Sequence, residues 1–291
     1  MKKIAFVIDS SSNILGDESK HIYLVPLGII ETKNSEQTVH NASYDMDLEK
    51  LDEKIKSGSK FKTSQSSIGV LQQTLEELTQ KYDYVIGLPI SEKLSSNYAT
   101  WKSLESEFKG KFFAFNLGNV EIGIVWMLEE IRKFLESKNN EVDPKEVEAF
   151  IAKMKKNFGG VLVVSDVSQL IAGGRLKEFK AVFVKTLKLK LLISMMPTNG
   201  GLEYFDKTKT DLAAKNNLID FLEEKIKLKS KKIKRAAIVT TILDDNENQK
   251  VLNEFKSLLK SDVEIKIVRF SPVIAVHTGI SNYALLVQME D

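Results

Sequence analysis

The side chains able to do chemistry in this chain are concentrated in four short segments, and most of them are hydroxyls. The segments are Asp9-Ser10-Ser11-Ser12, Thr63-Ser64-Gln65-Ser66-Ser67, Ser91 with Ser95-Ser96-Asn97, and Ser271-Pro272 followed by His277-Thr278-Gly279. Hydroxyl donors beside helix starts can hold a carboxylate or a phosphate without arginine, because the free N–H groups and positive dipole end favour an anion. Taken one at a time, each of these serines and threonines is also explained as a helix cap. A Ser/His/Asp triad can be drawn from Ser95 or Ser64, His277 and Asp9, but no candidate serine sits in a Gly-x-Ser-x-Gly elbow. His277 follows the apolar run 273–276, which places it at a strand or turn end.

Other chemistries lack their residues. Cysteine is absent, which removes disulfides, thiolate metal sites and cysteine nucleophiles. The three histidines, His21, His40 and His277, come from distant parts of the chain, so no metal site is expected, and no organic cofactor either. Neither a Gly-x-Gly-x-x-Gly run nor a Walker sequence occurs, and Gly173-Gly174-Arg175 reads as a glycine helix cap with a surface arginine. Lys and Arg total 42 against 40 acids, and four of the basic residues are arginines. A net charge of +2 with so little arginine does not predict nucleic-acid binding. The lysine-rich stretch 225–234 reads as a solvated helix end and loop.

The 291 residues, 43% hydrophobic and 28% charged, suit one large or two ordinary globular domains. The apolar run 4–8 stops at Asp9, too short for a signal peptide, and no segment approaches the roughly 18 apolar residues of a membrane span. A cytoplasmic protein with at most transient membrane contact is expected.

The elements that must position the hydroxyl loops follow from periodicity. Strands are expected at 3–8, 22–30, 84–88 and 111–115, the second being an edge or bulged strand because it contains Pro26. Helices are expected at 46–55 with Asp45 as cap, at 70–82, from about 95 to 108, at 120–135, and from Asp143-Pro144 to about 157. Strands alternating with helices of this length imply a parallel sheet, with ligand loops at its carboxyl ends. Phe158-Gly159-Gly160 breaks the pattern, and the domain boundary is placed there, giving domains 1–157 and 158–291. In the second, strands at 161–165, 191–196, 202–205, 235–241, 263–270 and 283–289 alternate with helices at 168–171, 176–189, 211–227 and 246–259. The turn 197–201 makes a hairpin, so this sheet is mixed. The fold class is therefore α/β, with two α/β domains.

In order and spacing the loops resemble the DegV family of bacterial fatty-acid-binding proteins. The pieces are Phe6-Val7-Ile8-Asp9-Ser10-Ser11, Val25-Pro26-Leu27, Thr63-Ser64-Gln65-Ser66-Ser67, Ile90-Ser91 with Leu94-Ser95, Gly173-Gly174-Arg175-Leu176, and Ser271 through Gly279. The resemblance implies a non-enzymatic protein that holds a long-chain fatty acid in a tunnel between or beside its two domains. It implies presentation of the carboxylate to a fatty-acid kinase, which makes an acyl phosphate for phospholipid synthesis. By the same resemblance Thr63, Ser95 and His277 bind the carboxylate, with Ser64, Ser96, Thr278, Gly279, Asp9 and Ser10 in nearby loops and Arg175 on a partner surface. The chain departs from the family pattern at Ser66, where the family has Pro, and at Ser96-Asn97, where it has Gly-Thr. It departs again at Asn116-Leu117 in place of Asp-Ser, at Lys190-Leu191-Leu192-Ile193 in place of Lys-Pro-Ile-Leu, and at Ile280-Ser281 in place of Pro-Gly. A serine hydrolase using His277 and a diverged member without ligand are the competing expectations.

Overall fold

The apolar run near the start of the chain folds as β1 (Ile4–Asp9), with all six residues buried. A strand buried on both faces belongs in a parallel sheet covered from both sides. The computed structural model in which it is seen describes residues 2–176, 189–259 and 261–291. Contacts within the chain divide it into two units, Met1–Lys155 with Ser271–Val273, and Lys156–Phe270 with Ile274–Asp291.

In the first unit β1 is joined by β2 (Ile22–Val25), which occupies an edge of the sheet. The expected strand 22–30 is divided at Pro26: the second part, β3 (Gly28–Lys33), enters a different sheet. That sheet is antiparallel, in the order β4-β3-β5, with β4 (Glu36–Asn41) and β5 (Lys60–Ser64). The sequence reading missed it, expecting no strand between residues 31 and 83. Between these strands lies α1 (Leu48–Lys56), whose cap is Asp47, accepting from the Lys50 N–H, and not Asp45. The reason is local: Asp45 instead accepts the Asn41 N–H at 2.7 Å and closes the turn after β4.

α2 (Ile68–Lys81), β6 (Tyr84–Leu88), α3 (Asn97–Ser103), β7 (Phe112–Ala114), α4 (Ile122–Ser137) and α5 (Pro144–Met154) complete this unit. The main sheet has the order β2-β1-β6-β7, and every pairing is parallel. Its core joins Ala5, Val7 and Val85 of the strands to Leu71, Leu75 and Leu78 of α2 and Trp101 of α3. The three leucines recur at helical spacing on one face, as the sequence pattern requires.

The second unit opens with β8 (Phe158–Val164), whose residues are all buried. The glycines of Phe158-Gly159-Gly160 therefore lie inside a strand instead of breaking the pattern. Their smallness serves packing: a Cβ on Gly159 would lie 2.9 Å from Leu222 Cδ2 and 3.0 Å from Ile226 Cδ1. Then follow α6 (Ser168–Ala172), β9 (Lys190–Met195), β10 (Leu202–Thr208), α7 (Asp211–Ile226), β11 (Ile233–Thr240), α8 (Asp245–Leu259), β12 (Ile265–Arg269), α9 (Pro272–Thr278) and β13 (Tyr283–Met289). The helix expected at 176–189 falls almost wholly outside the described residues. The sheet order is β10-β9-β8-β13-β11-β12, with β11 and β12 parallel and the other pairs antiparallel, a mixed sheet.

Lys215 of α7 is fully buried in this unit, a feature the sequence reading did not single out. It is ion-paired with Asp211 and with Glu254, the latter at 2.6 Å, and lies 4.9 Å above the Tyr283 ring. Three lysines of the lysine-rich stretch are ion-paired with acids outside it: Lys225 with Glu224, Lys229 with Asp220 and Lys232 with Glu290.

Candidate functional site

In the first unit the chain runs from β1 to β2 on one side of it and returns to β6 on the other. The order reverses between β1 and β6, and at such a switch point the loops leave a crevice at the carboxyl ends of the strands. Asp9 ends β1 there and is completely buried. Its Oδ1 accepts from the Ser11 N–H at 3.0 Å and the Ser11 hydroxyl at 2.5 Å. Its Oδ2 accepts from the Ile90 N–H and from Asn97 Nδ2, both at 2.8 Å. Burial pushes the carboxyl above its usual range, while these donors pull the other way. With both oxygens committed, and to no histidine, Asp9 braces loops and does not orient a catalytic imidazole. The serine-hydrolase expectation loses its acid on this geometry.

Ser10 is equally committed: its hydroxyl donates to the Ala42 carbonyl at 3.0 Å and accepts the Leu27 N–H at 3.1 Å. Asp9 and Ser10 thus hold the loops that carry the other hydroxyls and are not themselves exposed to a ligand.

The two central hydroxyl motifs are brought together within this unit. Ser66 N–H donates to Asn97 Oδ1 at 3.1 Å, and the hydroxyls of Ser96 and Thr100 donate to Gln65 Oε1 at 2.9 and 3.0 Å. The loop after β5 is therefore clasped to the start of α3 by two side-chain amides, one from each side. Thr63, next to last in β5, is half-buried and paired in register with the buried Ile29 of β3. Ser64, on the opposite face, is exposed, and its hydroxyl occupies the space beside Gly28 where a Cβ would lie only 2.3 Å away.

Ser95 is half-buried and accepts the Asn97 N–H on its Oγ at 3.2 Å. Among the described residues the Ser95 hydroxyl proton has no protein acceptor, so it is poised to donate, strengthened by the bond its oxygen accepts. Ser96 and Ser67 stand at helix N-cap positions, yet neither makes a side-chain cap bond. The capping explanation offered for these serines singly does not hold for these two.

In the second unit His277 lies in α9, near its end, and not at the end of a strand. The apolar run before it forms a short helix because Pro272 stands at the first helical position and Gly279, at φ +80°, accepts the left-handed conformation that ends it. Thr278 is buried and donates to the Ile274 carbonyl at 3.3 Å. The Gly173-Gly174-Arg175 motif has a function the sequence reading did not foresee. A Cβ on Gly173 would lie 2.7 Å from His277 Nδ1, so the glycine makes room for the imidazole. Burial, with the Arg175 charge beside it, pushes the His277 pKa down to about 4, leaving a neutral ring at pH 7. Arg175 also donates to the Gly173 carbonyl.

Glu121 was also missed, because an isolated glutamate in a helix-start region carries no sequence signal. It is fully buried at the start of α4 with φ 55° and ψ −149°, a conformation otherwise reserved for glycine. Its carboxyl accepts the Ser271 N–H at 3.0 Å and the Ser271 hydroxyl at 2.7 Å. Burial raises its pKa to about 8. The other two histidines are used structurally: His40 binds Glu31 at 2.9 Å, and His21 binds the Tyr82 hydroxyl at 2.9 Å. Among the described residues no group of His, Asp and Glu is placed to hold a metal ion. Nor is any described helix long and apolar enough to cross a membrane.

A parallel four-stranded sheet, a six-stranded mixed sheet and hydroxyl loops at the switch point define the class as a two-unit α/β protein. The DegV family model, described as "Uncharacterised protein, DegV family", matches residues 3–290, and the chain belongs to that family. The DegV domain-containing protein MG450 of Mycoplasma genitalium is 36% identical over 291 residues, covering 99% of this chain and 100% of its own length. Among solved structures, a DegV family protein of Thermus thermophilus, described for its fatty acid binding, superposes with a TM-score of 0.82 at 20% identity, covering 99% of this chain and 100% of its own. DegV of Bacillus subtilis, described as a fatty acid binding protein, superposes with a TM-score of 0.81 at 22% identity over 100% of both chains.

Proposed function

We propose that this protein binds a long-chain fatty acid, with its carboxylate received by the hydroxyls of Thr63 and Ser95, and presents it to a fatty-acid kinase. The observation that carries the reading is the clasp between the Thr63–Ser67 loop and the start of α3. It gathers both hydroxyl motifs in one polar cluster and leaves the Ser95 proton without a protein acceptor among the described residues. Fatty acid binding in proteins of the same fold, from Thermus thermophilus and Bacillus subtilis, supports it. The role that the resemblance gives to His277 is proposed on the same terms: a neutral imidazole can donate one hydrogen bond to a carboxylate without needing a counter-charge.

A carboxylate held by neutral donors suits a carrier that must release its cargo, because most of the affinity comes from the chain. At ~0.8 kcal/mol per methylene, an acyl group of about sixteen carbons contributes on the order of 10 kcal/mol before entropy costs. The protein would then perform no chemistry itself. Acyl-phosphate formation would belong to an ATP-dependent partner acting in the cytoplasm, and Arg175 is proposed to belong to the docking surface.

The test begins with organic extraction of purified protein and mass spectrometry of the extract, then calorimetric titration with a long-chain acid. Co-purifying acid and saturable binding are expected. Absence of both refutes the reading. Mixing loaded protein with a fatty-acid kinase and ATP should convert the acid to its acyl phosphate, and no conversion by any such kinase removes the presentation step alone.

A further inference from the structure

Asn97 is completely buried at the first position of α3, where a polar side chain without a purpose is costly. Its amide has one partner on each side. Nδ2 donates to Asp9 Oδ2 at 2.8 Å, and Oδ1 accepts the Ser66 N–H at 3.1 Å. The orientation of the amide is fixed by the Ser66 N–H, which can only donate and therefore faces Oδ1. The backbone N–H of the same residue donates to Ser95 Oγ at 3.2 Å.

One residue thus touches three loops at once. Through Asp9 it is tied to the Ser11 turn and to Ile90 after β6, through Ser66 to the loop that carries Thr63, and through its own N–H to Ser95. Thr63 and Ser95 come from elements far apart in sequence, so their separation has to be set by something that spans both. Gln65 adds a second clasp from the opposite side, but it and its partner Ser96 are exposed. The buried, doubly anchored amide is the stiffer of the two.

We propose that Asn97 is the positioning residue of the carboxylate site, its side-chain amide setting the distance between the Thr63 loop and Ser95. The inference rests on the reading of the site given above. It predicts that Asn97 governs affinity without touching the ligand.

Two variants separate positioning from bulk stability. Asn97→Thr leaves one hydroxyl at the γ position, a bond short of both partners, so the clasp is lost while Asp9 keeps its three other donors and the brace survives. It should fold with an unchanged circular dichroism spectrum and bind a long-chain acid about 10-fold or more weakly. In Asn97→Asp two carboxyls face each other, and such a pair retains a proton well above the ordinary carboxylate range. While the shared proton remains, the clasp is intact; once it leaves, the two charges repel. The ratio of variant to wild-type affinity should therefore fall as pH rises, a profile that a purely structural role would not produce. In wild type, hydrogen exchange should find the Ser66 amide protected in the ligand-free protein, which tests the clasp even if a variant does not fold. A folded Asn97→Thr with wild-type affinity, a flat affinity ratio for Asn97→Asp, or a rapidly exchanging Ser66 amide would each overturn the proposal. Wild type that binds no fatty acid overturns the site reading and this inference together; weakened binding in Ser95→Ala beside unchanged binding in Asn97→Thr overturns the inference only.

Discussion

Glu121 gives the sharpest quantitative expectation. Its carboxyl is enclosed, bonded to Ser271, and titrates at about 8 in the folded protein against an ordinary 4.5. A folded-state value above the unfolded one means that the native state holds the proton more tightly. This group's contribution is therefore fully favourable below pH 4.5 and is eroded as pH rises towards 8. At roughly 1.4 kcal/mol per decade the full loss is about 5 kcal/mol, of which about 1 is expressed at pH 5 and about 4 at pH 8. Glu121→Gln has the shape of the protonated side chain, with an oxygen to accept from Ser271 and no charge to desolvate. Measured by urea unfolding, the stability of Glu121→Gln relative to wild type should rise by about 3 kcal/mol between pH 5 and pH 8. Equal pH dependence in the two proteins would refute the reasoning, because it would mean that Glu121 ionises in the native state as easily as in the unfolded chain.

Four further outcomes follow from the same geometry. Ser95→Ala and Thr63→Val should each weaken fatty acid binding by about 1–3 kcal/mol, the range for a lost hydrogen bond to a charged group, as read by calorimetry. Asp9→Asn places an amide among four donors, and thermal unfolding should show a loss of about 2–4 kcal/mol, whereas a neutral result would show the loops to be held by other contacts. Gly173→Ala pushes a methyl to within 2.7 Å of His277 Nδ1, so the histidine resonances should move in NMR spectra while the fold persists. Lys215→Met leaves Asp211 and Glu254 facing each other without their cation; since both acids are partly exposed, a loss of about 1–3 kcal/mol is expected at pH 7, shrinking as pH falls and the acids are neutralised.

The α/β class and the parallel sheet were legible because the central strands are largely buried apolar runs separated by helices with strong 3.6-residue periodicity. β1 and β6 are of this kind, as is the leucine stripe of α2. The antiparallel sheet was not legible. β4 (Glu-Gln-Thr-Val-His-Asn) and β5 (Lys-Phe-Lys-Thr-Ser) are mostly exposed, polar strands whose stability comes from pairing with β3 and from Glu31, and neither leaves an alternating apolar pattern. Glu31 accepts from Lys54 at 2.8 Å, Ser59 at 2.6 Å and His40, contacts between residues up to 28 positions apart that no local window contains. The motif loops were found by residue type. What each hydroxyl does could not be read, because it depends on which neighbour takes its proton: Asp9 and Ser10 proved to be braces, whereas Ser95 keeps a donor to give. Likewise, Gly173-Gly174-Arg175 and His277 stand about a hundred residues apart, and only the folded chain shows the first making space for the second.

Two departures from the family pattern, which looked independent in the sequence, explain one another in the fold. A proline at position 66 has no N–H to donate, and a threonine at position 97 has no carbonyl oxygen to receive one. Here Ser66 supplies the N–H and Asn97 the carbonyl, and the two are joined at 3.1 Å while Asn97 keeps its bond to Asp9. Where proline would stiffen the loop covalently by fixing φ, this chain holds it with a buried hydrogen bond. Either substitution alone would leave a buried group unsatisfied, an N–H at 66 or a carbonyl at 97. Together they close the clasp. The residues at 66 and 97 are therefore complementary, as the proposed site requires of its two halves.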